Sequence, residues 1–110
     1  MLTMIDEYEH IKFLADTMAD CLHPLQIYLF GSFADGRNTN DSDYDFYVVV
    51  PDDDQRNTID LMVSAQKSLR HKKNRAVDVL VNRRSTFDML KNSPLTVEND
   101  VATKGVLIYG

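Results

Sequence analysis

Residues 25–50 read Leu25-Gln-Ile-Tyr-Leu-Phe30-Gly31-Ser32-Phe-Ala-Asp35-Gly36-Arg37-Asn-Thr-Asn-Asp41-Ser42-Asp43-Tyr44-Asp45-Phe-Tyr-Val-Val-Val50. Two runs of strand length flank a polar, turn-rich middle. The first run, 25–30, is almost continuously apolar, as expected of a strand covered on both faces. It stops at Gly31-Ser32, a tight turn that opens toward a helix start. The second, Tyr44 to Val50, is closed by Pro51 and Asp52-Asp53-Asp54. Upstream, Ile5, Tyr8, Ile11, Ala15, Met18 and Leu22 fall on one stripe of an amphipathic helix that His23-Pro24 ends. Downstream, residues 55–70 predict a helix with Ile59, Met62, Val63, Gln66 and Leu69 on one side. The basic loop His71-Lys72-Lys73-Asn74-Arg75 then leads into a third strand, 76–81. Ser85 caps a short helix to Lys91, and a second helical stretch runs from Pro94 to Lys104, where Gly105 ends it. Val106-Leu107-Ile108-Tyr109 is the last strand. The order α-β-α-β-α-β-α-α-β, without repeats or linkers, predicts a single domain over 1–110. Its class is α+β (an α/β layer arrangement), with helices packed on a small mixed sheet.

The chain's 110 residues are enough for one core without a disulfide or structural metal. Cys21 stands alone, which excludes a disulfide framework and a four-cysteine zinc site, and it is expected to pack near the stripe of the first helix. A net charge of −5 weighs against free nucleic acid as a ligand. No apolar run approaches the ~18 residues of a membrane span, and the start carries acids rather than the basic region of a secretory signal. A cytoplasmic protein without membrane partners is the expectation. The charge is unevenly placed: residues 1–60 hold 13 acids and 3 bases, whereas 7 of the 12 bases lie between Lys67 and Arg84. Such asymmetry suits either solvated helix faces or an anionic or metal-dependent ligand on one side.

Side chains alternate along a strand, so Asp43 and Asp45 project from one face. Two such carboxylates repel unless a cation lies between them, and Mg²⁺ binds through one or two carboxylates plus substrate phosphates. Asp78 interrupts Val77-Asp78-Val79-Leu80-Val81, which otherwise reads as buried sheet; a carboxylate there is either partnered or metal-bound. With the second and third strands adjacent, the three acids converge on one patch. That layout suits a pair of divalent ions and nucleotidyl transfer, with Asp78 placed to take the proton of the attacking hydroxyl. Gly31-Ser32, a tight turn after a strand, offers backbone N–H groups and a hydroxyl to phosphate, and Arg37 adds a charged donor nearby.

Gly31-Ser32, ten residues, then Asp43-Tyr44-Asp45 resembles the Gly-Ser-x10-Asp-x-Asp signature of the polymerase β-type nucleotidyltransferases. Ala34, Gly36, Ser42, Val77-Asp78-Val79 and the ending Lys104 to Tyr109 extend the likeness to the minimal nucleotidyltransferases (MNT) of HEPN–MNT toxin–antitoxin pairs. The resemblance implies a polymerase β-like fold. It implies Asp43, Asp45 and Asp78 as catalytic metal ligands, Gly31, Ser32 and Arg37 at the nucleotide, Mg²⁺ as metal and ATP as donor. It further implies a type VII-like antitoxin that transfers AMP to a tyrosine of a HEPN ribonuclease toxin encoded by an adjacent gene, in a hetero-oligomer. One departure is Asp35, where many relatives carry a base; Arg37 is the nearest substitute. With 110 residues read as the catalytic part alone, the acceptor is expected on another molecule. Two alternatives remain: an antitoxin that neutralises its toxin by binding alone, and a small-molecule nucleotidyltransferase whose acceptor domain is a separate chain.

Overall fold

A computed structural model of the chain describes residues 4–110, with side chains from Asp6 onward. Met1 to Thr3 and the Ile5 side chain, which the sequence reading used, lie outside the described residues. The described elements are α1 (Met4–Leu22), β1 (Gln26–Phe30), α2 (Ser32–Asp35), β2 (Tyr44–Val50), α3 (Thr58–Ser68), β3 (Val77–Arg83), α4 (Arg84–Leu90), α5 (Val97–Lys104) and β4 (Val106–Tyr109). The strands form one mixed sheet in the order β3-β2-β1-β4. β1 is antiparallel to both β2 and β4, and β2 is parallel to β3. The mixed α+β architecture is the one the element order predicted.

One sheet face, with Tyr44, Phe46, Val48, Val50, Val77, Val79 and Val81, packs into a main core with Leu14, Met18 and Leu22 of α1 and Leu61, Ala65 and Leu69 from the α3 region. The opposite face places Tyr47 and Val49 against Phe87 of α4 and Val101 of α5. β2 is therefore covered on both faces along most of its length. Among the described residues, no helix is long and apolar enough to cross a membrane.

Four local readings change. In α1 the stripe holds at Ile11, Ala15, Met18 and Leu22, but Tyr8 is exposed, and so is Cys21, which faces the Ser64 carbonyl rather than the core. In α3 the buried residues are Leu61 and Ala65, one step around from the expected side because these face the sheet; of that side Leu69, just past the helix, is buried. Ile59, Met62, Val63 and Gln66 instead line an open groove of about 520 Å³. Ser85 does not cap α4: its own N–H is received by Asp52 Oδ1 at 2.9 Å, so the cap comes from the turn after β2. The last helix starts after Thr96, whose hydroxyl accepts from the Asn99 N–H, and Pro94 belongs to the turn before it.

The third strand also differs from its reading. β3 is an edge strand with alternating burial: Val77, Val79 and Val81 are inside, while Asp78 and Leu80 face out. Its apolar run reads as buried on both faces because Leu80, 37% exposed, carries an apolar side chain on the open side. Asp78 thus avoids the full cost of a buried charge.

Candidate active site

The site is built where β1 ends and where β2 and β3 begin. β1 delivers the chain to Gly31, whose φ of +75° and ψ of −154° belong to a region open essentially only to glycine. A second constraint acts on the same residue: a Cβ at position 31 would overlap Asp45 Oδ2. Glycine here lets backbone lie directly against a carboxylate. The chain then makes the one-turn helix α2, held by Ala34 and Asp35 N–H groups donating to the Gly31 carbonyl at 3.1 and 3.3 Å. Gly36, at φ +80°, ends it. The N–H groups of Ser32 and Phe33 open this turn with no helical carbonyl before them to bond.

Residues 37–43 return the chain to β2. Ser42 steadies the loop by accepting the Thr39 N–H on its hydroxyl at 2.8 Å. Asp43 is exposed and precedes the strand; Asp45 is half-buried within it. The parallel ladder sets Asp45 directly opposite Asp78. Burial, then the charge of Asp78 and a hydrogen bond to it, then the charge of Asp43, push the Asp45 pKa up to about 6. Among the described residues no Lys, Arg or His forms an ion pair with any of the three.

The three expected acids are thus gathered at one end of the sheet, with Asp45 and Asp78 paired and Asp43 two residues below. Among the described residues, no group of three or more His, Cys, Asp or Glu side chains stands ready to hold a metal ion. Like-charged carboxylates repel, and Mg²⁺ draws part of its shell from substrate phosphate and water. An all-oxygen, uncompensated donor set fits a hard divalent ion on those terms.

Arg37 lies in the loop, exposed, and is held by Asp35: Nε and Nη2 both donate to Oδ2 at 3.0 and 2.7 Å, and the Arg37 backbone N–H donates to Oδ1 at 3.2 Å. This pair lowers the Asp35 pKa and raises that of Arg37. The departure noted at position 35 therefore partners the very base expected at the phosphate. One residue escaped the sequence reading. Arg75, one of the bases in the loop before β3, is half-buried against this site, while Arg70 to Asn74 are exposed.

No curated protein sequence matches the chain. Among solved structures, it is similar to a candidate nucleotidyltransferase from Sulfolobus solfataricus, with TM-score 0.61 and 23% identity over 91% of this chain and 77% of the other. It is also similar to a toxin–antitoxin structure containing AMP-PNP, with TM-score 0.57 and 25% identity over 92% and 73% of the two chains. A third likeness is to a toxin–antitoxin complex, MntA–HpeT, bearing two Asp-to-Glu substitutions, with TM-score 0.62 and 22% identity over 92% and 73%. The family model for the polymerase beta nucleotidyltransferases matches residues 12–110, a span that holds the Gly31-Ser32 turn and all three aspartates. The chain belongs to the polymerase beta nucleotidyltransferase family.

Proposed function

We propose that this chain is the antitoxin of a toxin–antitoxin pair and acts as a Mg²⁺-dependent adenylyltransferase, moving AMP from ATP onto a tyrosine of a HEPN ribonuclease toxin. The observation that carries the chemistry is the Asp45–Asp78 pair, two carboxylates in register across a parallel ladder that no Lys, Arg or His among the described residues pairs with, and with Gly31 backbone packed alongside. The likeness to a toxin–antitoxin structure with AMP-PNP, an ATP analogue, supports the choice of nucleotide and the antitoxin role.

Asp43, Asp45 and Asp78 would hold Mg²⁺, which supplies charge neutralisation at the triphosphate and acidifies the attacking hydroxyl. The chain's own groups do the rest. The Gly31-Ser32 turn offers N–H groups and the Ser32 hydroxyl to phosphate oxygens. The tyrosine oxygen of the acceptor bonds to the α-phosphorus as the bond to the pyrophosphate oxygen breaks, and the phenolic proton passes to Asp78.

The chain is to be mixed with ATP, Mg²⁺ and the product of the adjacent gene, and the toxin weighed intact. The expected result is a gain in steps of about 329 Da, one AMP each. Asp43→Ala and Asp45→Ala should each lower the rate by about 10³-fold or more. An unmodified toxin with the wild-type chain, or undiminished transfer in both variants, overturns the reading. Toxin protection in cells by the double variant would instead favour neutralisation by docking, to which the acidic residues 1–60 are suited.

A further inference from the structure

Two ladders converge on Asp45: the parallel one sets it opposite Asp78, and the antiparallel one sets it opposite Phe30, which delivers the chain to Gly31. Beyond those pairings, the one-turn helix that begins at Ser32 and the residue Asp43 have no ladder partner to hold them against the site. Asp43 lies outside the strand, and α2 is a single turn.

One side chain touches all of these segments. The Arg75 guanidinium lies over the Phe33 ring of α2, 4.9 Å from its centroid, and over the Tyr44 ring, 5.1 Å away. The two rings meet edge to face at 4.7 Å, so cation and rings form one packed unit. Arg75 Nη1 also donates to the Ser42 carbonyl at 2.9 Å, the peptide that leads into Asp43. Its Nε is buried with no hydrogen-bond partner among the described residues, so the side chain is held here against a polar cost that its other contacts must outweigh. Phe33 follows Ser32, Tyr44 stands between Asp43 and Asp45, and Arg75 itself is three residues before Asp78.

We propose that Arg75 is a positioning residue for nucleotidyl transfer: its guanidinium, packed against both Phe33 and Tyr44 and bonded to the Ser42 carbonyl, sets Ser32 and Asp43 in place against the Asp45–Asp78 pair. The step it serves rests on the nucleotidyl-transfer reading; the clamp itself does not. A lysine keeps the charge over the rings but offers a point charge in place of the planar fork. Methionine keeps only the bulk.

The chain and its Arg75→Met and Arg75→Lys variants are to be compared in two measurements: amide hydrogen exchange without ligand, and calorimetric binding of Mg²⁺ with AMP-PNP. In Arg75→Met, amides of residues 37–45 should exchange about tenfold faster while those of the β1–β4 pairing do not change, and nucleotide affinity should fall about tenfold. Arg75→Lys should recover part of both losses. Unchanged exchange and affinity in a folded Arg75→Met overturn the proposal, as does uniform acceleration that includes β4, the mark of a merely structural residue. If Arg75→Met does not fold, Arg75→Lys decides: local acceleration with weaker binding supports the clamp, and wild-type behaviour in both measurements overturns it. Failure of the wild-type chain to bind Mg²⁺ with AMP-PNP counts against the nucleotidyl-transfer reading instead, and the exchange data still judge the clamp.

Discussion

Strand β2 carries an acidic cluster at each end, and the two fare differently. At its C-terminal end, Asp52, Asp53 and Asp54 are the denser cluster in sequence. Asp54 is gripped by Arg56, whose Nη2 and Nε donate to the two carboxylate oxygens at 2.7 and 3.0 Å, and its pKa is pushed down to about 2 by that side chain and by the Arg56 N–H. Asp52 receives the Ser85 N–H, and Arg83 donates to the Asp54 and Arg56 carbonyls at 2.7 and 2.6 Å. At the N-terminal end, Asp45 faces Asp78 and its pKa moves the opposite way, up to about 6. One cluster is satisfied within the chain and serves as a turn. The other carries charge that the chain itself does not balance, and such a place is where a cationic ligand gains most.

Three changes would break or sharpen that contrast. The largest effect is expected of Gly31→Ala. It forces a side chain into a glycine-only conformation and against Asp45, at a cost of about 2–3 kcal/mol in unfolding free energy and at least about 100-fold in transfer rate. A variant with wild-type stability and rate would show that the N-terminal cluster is not tightly built.

Asp45→Asn comes next, and its sign is opposite. The folded pKa of Asp45 is raised above its usual 3.8, so the wild type loses stability as pH rises from about 4 through 6. In EDTA at pH 8 the Asn variant should therefore be the more stable by about 1–2 kcal/mol, discounting the shift for partial exposure, and the gain should vanish near pH 4. Urea titrations at the two pH values measure this. No gain at pH 8 would mean that the carboxylates do not oppose each other.

Arg56→Ala is the smallest. It should cost about 1 kcal/mol, because the ion pair and the bond from Arg56 Nη2 to the Leu22 carbonyl are lost. The folded pKa of Asp54 is depressed, so its contribution is present above about pH 4 and is lost as pH falls toward 2. Transfer by this variant should match the wild type. A large loss of transfer would join the two ends of β2 functionally and undo the contrast.

Much of this is legible in the order of residues alone. Local signals carried the elements: the period of α1, the apolar runs of β1 and β2, and the glycine that precedes β4. The spacing from Gly31-Ser32 to Asp43 and Asp45 marked the candidate site, because turn and strand geometry are local consequences of residue type. The readings that changed all depended on a neighbour. Which flank of α3 is buried, who caps α4, and whether Leu80 faces protein or solvent follow from packing partners far along the chain.

Arg75 and Arg56 make the same point within one residue type. Each sits in a polar loop, and composition describes them alike. Only the tertiary structure lays one against Phe33 and Tyr44 and ties the other to Asp54. By itself the sequence determined the turn, the alternating acids and the strand that bears them, since backbone sterics and side-chain alternation act over a few residues. The fold decided that Asp78 stands opposite Asp45, that Asp35 claims Arg37 and that Arg75 binds the pieces together. Charge pairing and desolvation depend on distance in space, and the order of residues does not supply it.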